Sequence, residues 1–151
     1  MVLKIVFRLF ALTVVCGFLY FTYNEFVNKP RRDAGDEAAI QSMRTIINAQ
    51  EQYKERYRRY ASALYELGPP MHGRKGGEES ANLIPGDLAS GRRFGYQFRV
   101  HGYGDTFSVT ADPLGKSDPM KIRRHFFLDP NGKIRVSETG PAKQSSPLFH
   151  D

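Results

Sequence analysis

The sequence has few of the residues on which catalysis and metal binding usually depend. Its single cysteine, Cys16, lies inside an apolar run, so the chain can form no intrachain disulfide. The motif that presents a nucleophilic serine on a sharp strand-to-helix turn is missing. No two histidines stand at a ligand spacing such as i, i+4, since they are scattered as His72, His101, His125 and His150. The sequence therefore predicts no catalytic, cofactor-binding or metal-binding residue and no enzyme activity.

Positive charge is concentrated at the N-terminus. Of the formal net charge of +6, residues 1–32 contribute +4, from five basic residues and one acidic residue. The rest of the chain contributes +2, from 17 basic and 15 acidic residues. Because most of the excess flanks an apolar run, it favours a membrane surface as the partner, and nucleic acid is not expected.

This apolar run predicts a membrane anchor. No residue from 9 to 21 is charged, and the 23 residues 5–27 are interrupted only by Arg8, Asn24 and Glu25. About 20 apolar residues cross the hydrocarbon core of a bilayer. We therefore expect residues 1–28 to form a single transmembrane helix that contacts the lipid bilayer through residues 5–27. A cleaved secretory signal is the alternative, although no Ala-x-Ala site follows Gly17.

The stretch from Asp36 to Leu67 predicts one long amphipathic helix. Asp33 or Asp36 can cap its free amides, and Gly68-Pro69-Pro70 ends it because proline lacks the donor that continues a helix. The residues of one face recur every three or four positions, which is the helical period: Ile40, Met43, Ile46, Ile47, Gln50, Tyr53, Tyr57, Tyr60, Ala61, Leu64 and Leu67.

Two polar stretches flank this helix. Residues 29–35 contain proline and glycine, and we interpret them as a linker that interrupts the helix between the anchor and the following domain. Residues 69–79 are rich in glycine and charge, and they predict an exposed loop. The glycines of this loop lack the spacing and the following Ser or Thr of a nucleotide-binding loop.

Beyond residue 90 the period of apolar residues changes from about 3.6 to 2, which is typical of half-buried strands. Phe94 is the first of the side chains that this alternation points inward. Asp129-Pro130-Asn131-Gly132 predicts a tight turn between the last two strands. The alternation predicts strands over 94–100, 106–111, 121–128 and 133–137.

Short turns between successive strands make the sheet antiparallel, with one face for the long helix to cover. We therefore expect an α+β domain over residues 36–140, in which the helix packs on a sheet of three to four strands. Residues 141–151 are polar and contain proline and serine, so we expect a flexible tail.

Three features of the sequence allow a second interpretation: a set of tyrosines, one histidine and four aspartates. Tyr53, Tyr57 and Tyr60 are interleaved with basic residues, as in proteins that stack nucleic-acid bases. Because these tyrosines fall on the apolar phase of the helix, we interpret them as core residues. His125 stands among apolar strand residues, and we expect it to be structural. Four aspartates could supply oxygen ligands to calcium, although Asp-Pro and Asp-Gly pairs primarily form turns: Asp105, Asp112, Asp118 and Asp129.

Several fragments of the chain follow one another in an order that occurs in a known superfamily. The helix contributes residues 37–46, 49–50, Tyr53, Tyr57, 60–61, Leu64 and 67–70. The sheet contributes residues 95–98, 107–113, 124–129 and 132–135. Over residues 36–140 the chain resembles the type IV pilins and the type II secretion pseudopilins. The resemblance implies a pilin-like fold, other pilin-like or secretion-system subunits as partners, and an inner (cytoplasmic) membrane location with a periplasmic ectodomain.

The usual prepilin N-terminal motif is absent. Apolar residues precede Gly17 instead of following it, and Thr22 stands where the motif has glutamate. The resemblance implies a non-catalytic, membrane-anchored subunit or accessory protein of a pilus or secretion apparatus. A stand-alone membrane-tethered binding module is the alternative, which the break at Pro30 favours.

Overall fold

A computed structural model of the chain describes residues 34–72, 74–115 and 124–150. These residues belong to one compact unit that spans residues 33–151. The predicted anchor, linker residues 29–33 and the first three residues of the predicted strand 121–128 lie outside the described ranges. Within those ranges, no helix has the length and apolar character that a membrane crossing requires.

The helix α1 runs from Ala34 to Tyr57 and buries one face. Acidic residues occupy its first turn and basic residues its last turn, an arrangement that suits the helix dipole. The apolar period read from the sequence is confirmed, since the buried side chains recur every three or four positions. They include Ala39, Ile40, Met43, Ile46, Ala49, Gln50 and Tyr53.

The prediction of one unbroken helix over 36–67 is wrong. The backbone leaves the helix at Arg58, whose φ of 61° lies in the left-handed region. It becomes helical again only in α2, Leu64–Leu67. The break is held by the amide of Gln50, which accepts from the N–H of Ala61 at 2.8 Å and donates to its carbonyl at 2.9 Å. These two bonds replace helical ones and fold residues 58–63 back over α1.

The sheet is an antiparallel meander of five strands in chain order, where the sequence predicted three to four. A third short helix, α3, Gly86–Ala89, precedes the first strand. The coarse prediction of an α+β domain with a helix on an antiparallel sheet is confirmed. The strands are β1, Arg92–Arg93; β2, Tyr96–Tyr103; β3, Thr106–Pro113; β4, His125–Leu128; and β5, Ile134–Ser137.

The alternation predicted that Phe94 begins a strand with its side chain inward, and this prediction is wrong. The register pairs Arg93 with Tyr96, so Phe94 and Gly95 are the two central residues of a β-hairpin turn. Both have positive φ, 51° and 79°, which is the conformation of a type I′ turn. Phe94 is consequently 55% exposed.

The inner face of the sheet packs against α1 and forms the core. Its side chains alternate with outward polar ones, as the period of two requires. Tyr60 belongs to this core through its ring, whose centroid lies 4.7 Å from that of Phe107. The buried inward residues are Tyr96, Phe98, Val100, Phe107, Val109, Ala111, Phe126, Leu128 and Ile134.

The strand β2 runs alongside α1, so the domain has two distinct ends. At its start, the hydroxyl of Tyr96 donates to the carboxylate of Asp36 in the first turn of α1. Near its finish, Gly102 approaches Ala61 so closely that a Cβ there would lie 2.8 Å from the carbonyl oxygen of Ala61. We call the Asp36 side the proximal end and the Ala61 side the distal end.

The C-terminal segment packs against β5, whereas the sequence predicted a flexible tail over 141–151. The N–H of Val136 donates to Pro147, and the N–H of Phe149 donates to Ile134. The ring of Phe149 meets that of Phe126 edge-on, with the centroids 6.0 Å apart. Spaced apolar residues within a polar stretch supply these contacts, so polarity alone was a poor guide to order here.

Candidate interaction surface

An ion-pair cluster around the buried carboxylate of Glu66 fixes the loop that follows α2. It consists of Tyr53, Arg59, Ser62, Glu66 and Glu78, and we call it the Glu66 cluster. The guanidinium of Arg59 lies 2.8 Å from the carboxylate of Glu66 and 2.7 Å from that of Glu78. Ser62 donates to the other carboxylate oxygen of Glu66. The hydroxyl of Tyr53 lies 3.0 Å from Glu66 and 2.7 Å from the backbone carbonyl of Glu78. Helix, chain reversal and loop are thereby connected around one carboxylate.

The cluster sets the charge states of its two central groups. Burial alone raises the pKa of Glu66, but hydrogen bonds from Ser62, Arg59 and Tyr53 outweigh it, so the pKa lies below its usual value. Burial raises the pKa of Tyr53 above its usual value, and the hydrogen bond and negative charge of Glu66 raise it further. At neutral pH the carboxylate is therefore charged and the phenol neutral.

The raised pKa of Tyr53 predicts a loss of stability in alkali that the Tyr53→Phe variant lacks. Above pH 10 the unfolded chain releases the phenolic proton while the folded chain keeps it, so the free energy of unfolding falls as pH rises. Near pH 8 the variant should be less stable by about 1 kcal/mol, the net worth of a hydrogen bond. This difference should stay constant up to about pH 9 and narrow as pH rises above 10. Urea unfolding of both proteins at each pH measures it, and a constant difference would contradict the predicted effect.

The loop held by this cluster presents a concave, mixed surface. Backbone bonds attach its far end to α2, since Ala81 donates to Glu66 and Leu83 to Leu67, both at 2.7 Å. Tyr65 and Met71 project from its margin and are 66% and 79% exposed. The concavity measures about 800 Å³. We call this region the loop surface. Of the Glu66 cluster, Arg59, Glu66 and Glu78 line it, together with Tyr65, Pro69, Met71, Arg74, Lys75, Gly77, Glu79 and Ser80.

The loop surface contains residue types that are enriched in protein-binding sites. Tyrosine, methionine and arginine are enriched at interfaces, where aromatic rings supply contact area at low conformational cost and the flexible thioether adapts to the partner. Charges of both signs surround Tyr65 and Met71, because Arg74, Lys75 and Glu79 are all exposed. The arrangement can contact another protein, and its rigid support lowers the entropy cost of doing so.

The tyrosines of α1 and of the chain reversal are placed as the core interpretation predicted. Tyr53 and Tyr60 are buried, and Tyr57 is half-buried with its ring centroid 4.6 Å from that of Tyr53. The basic residues Lys54 and Arg59 stack over the rings of Tyr60 and Tyr53. These rings are therefore used inside the domain.

His125, Asp112 and Asp129 make structural contacts, whereas Asp105 is exposed on the β2–β3 hairpin. The Nδ1 atom of His125 lies 2.7 Å from Asp112, which also pairs with Arg99 at 3.2 Å on the outer face of the sheet. Ser137 stands opposite His125 across β4 and β5, but its hydroxyl makes no hydrogen bond with that ring in the described structure. Asp129 accepts the N–H groups of residues 131 and 133 and so shapes the last turn. Asp118 lies outside the described ranges.

Asp36 has a role that the sequence did not reveal. Its carboxylate is buried, accepts from the hydroxyl of Tyr96 and lies 2.8 Å from Nε of Arg124. An aspartate in the first turn of a helix usually indicates a helix cap. No local sequence pattern shows that this one instead contacts Tyr96 and Arg124, which follow it by 60 and 88 residues.

In the described ranges, no group of three or more His, Cys, Asp or Glu side chains could hold a metal ion. A helix on an antiparallel sheet hosts many functions, so function has to be argued from the surfaces. The chain matches no protein-family model, no curated protein and no solved structure.

Proposed function

We propose that the chain is a non-catalytic, membrane-anchored, pilin-like subunit or accessory protein of a type IV pilus or type II secretion-type apparatus. Residues 5–27 hold it in the inner membrane, and the α+β domain acts on the periplasmic side through contacts with other pilin-like or secretion-system subunits. The order of parts supports this proposal: an apolar run, a long helix with one buried face, a glycine-rich loop and an antiparallel meander.

The loop surface is the observation that carries the binding role. Tyr65 and Met71 are large, exposed and adjacent to a concavity, yet the loop beneath them is tied to α1 and α2 through the Glu66 cluster. Large apolar side chains on a rigid support are the usual centre of an interface. A loop that served only to connect two elements would not need these exposed anchors.

Co-purification from membranes tests the proposal. The wild-type chain should retain pilin or secretion-platform components. The double variant Tyr65→Ser/Met71→Ser should retain at least ten-fold less, since removing two central anchors costs more than about 1.4 kcal/mol of binding. Tyr103→Ser is the matched control, because Tyr103 is as exposed but lies on the β2–β3 hairpin. Equal retention by the double variant would exclude the loop surface as the contact.

A stand-alone membrane-tethered binding module is the second candidate. Pro30 favours it, because it interrupts the helical continuity between anchor and domain that packs a filament core. Mass spectrometry of the mature N-terminus separates the two candidates. Cleavage after Gly17 supports entry into a filament, whereas an intact Met1 together with no co-purified subunit supports the tethered module.

A further inference from the structure

The hairpin between β1 and β2 holds a bulky aromatic residue in an unfavourable backbone conformation. Phe94 has a φ of 51°, in the left-handed region, where asparagine or glycine fits a type I′ turn at lower cost. The residue is more than half exposed, so core packing does not explain why phenylalanine stands here. A strained and exposed aromatic side chain points to a role in contact with something outside the domain.

Basic and apolar neighbours surround this ring. The guanidinium carbon of Arg93 lies 4.7 Å from the centroid of the Phe94 ring, while its Nε is 2.8 Å from the carboxylate of Asp87. Arg92 is exposed and donates to the side chain of Gln97 at 3.3 Å. Leu114 adjoins the turn, since its N–H donates to the carbonyl of Gly95, and its side chain is also exposed. We call Arg92, Arg93, Phe94 and Leu114 the proximal tip.

The proximal tip lies at the end of the domain from which the chain continues toward the predicted anchor. Tyr96, two residues after Phe94, donates to Asp36 in the first turn of α1, and Arg124 pairs with the same carboxylate. Only residues 29–33 separate the predicted anchor from α1, and five extended residues span at most about 18 Å. Three of these five are basic, namely Lys29, Arg31 and Arg32.

We propose that the proximal tip docks on the surface of an anionic phospholipid bilayer. The ring of Phe94 and the side chain of Leu114 enter the headgroup region, and Arg92 binds lipid phosphate. An arginine beside an aromatic ring suits the boundary between headgroups and acyl chains. The guanidinium prefers phosphate and water, whereas the ring prefers the acyl chains. The inference rests on the membrane anchor of the proposed function.

The absence of tryptophan from the chain gives a direct test. Phe94→Trp introduces a single fluorescent indole at the proximal tip, which we call the proximal reporter. Tyr103→Trp introduces a matched one on the hairpin at the distal end, the distal reporter. Both full-length variants are placed in nanodiscs of phosphatidylglycerol and phosphatidylcholine, with and without bromine on the acyl chains. The proximal reporter should emit at shorter wavelength than the distal reporter and lose at least half of its intensity to brominated lipid, while the distal reporter loses none.

A second set of measurements tests how much the charge of Arg92 and of the lipid contributes to docking. Arg92→Gln in the Phe94→Trp background, or nanodiscs of phosphatidylcholine alone, should at least halve the quenching of the proximal reporter. Co-elution of the chain with the nanodisc reports on the anchor separately, so a chain that fails to co-elute contradicts the proposed function. A chain that co-elutes but leaves the proximal reporter as open to aqueous acrylamide as the distal one overturns the docking proposal. Protection of the proximal reporter that develops only when a partner protein is added overturns it equally, in favour of a protein contact.

Discussion

Replacing Gln50 by alanine should lower the free energy of unfolding by about 3–5 kcal/mol, since it leaves two buried polar groups unsatisfied and opens a cavity. Gln50 is 0% exposed, and its amide satisfies both the N–H and the carbonyl of Ala61. The two bonds hold the chain reversal that follows α1. Their loss should therefore also loosen residues 58–63, which carry Arg59 and Ser62 of the Glu66 cluster. Urea unfolding followed by circular dichroism measures the loss.

Two controls separate the causes of this effect. Gln50→Leu restores most of the volume but neither hydrogen bond, so it should recover only the cavity part and remain at least about 2 kcal/mol less stable than wild type. Gln52→Ala changes an exposed glutamine of the same helix and should stay within about 0.5 kcal/mol of wild type. A loss below about 1 kcal/mol for Gln50→Ala would mean that the reversal does not depend on this amide.

Replacing Asp36 by alanine should cost about 2–4 kcal/mol, the second largest expected effect. The substitution leaves the guanidinium of Arg124 without its carboxylate, and that side chain is only 22% exposed. The hydroxyl of Tyr96 loses the carboxylate and keeps the carbonyl of Arg124, at 3.1 Å, as an acceptor. Thermal unfolding of the variant gives the size of the loss. Glu37→Ala is the matched control, because Glu37 is the next residue, is exposed and accepts from Gln41 on the surface of the helix.

A double-mutant cycle shows whether the cost comes from the pair. Arg124→Met in the Asp36→Ala background removes the stranded charge, so the double variant should be less destabilised than the sum of the two single variants. An additive result would show that the carboxylate acts on Tyr96 or on the helix dipole and that the ion pair contributes little.

Periodicity was sufficient to predict the main elements of the fold. The helical face from Ile40 to Tyr53 and the alternation along β2 and β3 are both buried as their spacing predicts. In each case the apolar pattern extends over several repeats, so one residue out of place does not change the inference. The same signal could not separate α1 from α2, because Tyr60, Ala61 and Leu64 keep the helical spacing across the break.

Two kinds of feature were missed by periodicity. One depends on contacts between side chains that are far apart in the sequence, and the other is a turn whose residues continue the apolar alternation of a strand. No residue from 54 to 63 is proline or glycine, so the local sequence does not indicate the chain reversal. The hydrogen bonds that hold the reversal come from Gln50, which lies 11 residues before Ala61. Phe94 extends the alternation of β2 by one step, and only the pairing of Arg93 with Tyr96 places it in a turn. The loop surface left no periodic signal, because exposed tyrosine and methionine follow no spacing rule.

The pairing of the C-terminal segment with β5 has a consequence for how copies of this domain can meet. The amide of Val136 and the carbonyl of Ile134 are already engaged by Pro147 and Phe149 of the same chain. The β5 edge of the sheet consequently offers these groups to no strand of another chain. Pairing of exposed strand edges is the route by which small β-rich proteins form insoluble cross-β fibres. Copies that meet along this side keep separate hydrogen-bond networks, so they can part again as intact, individually folded units.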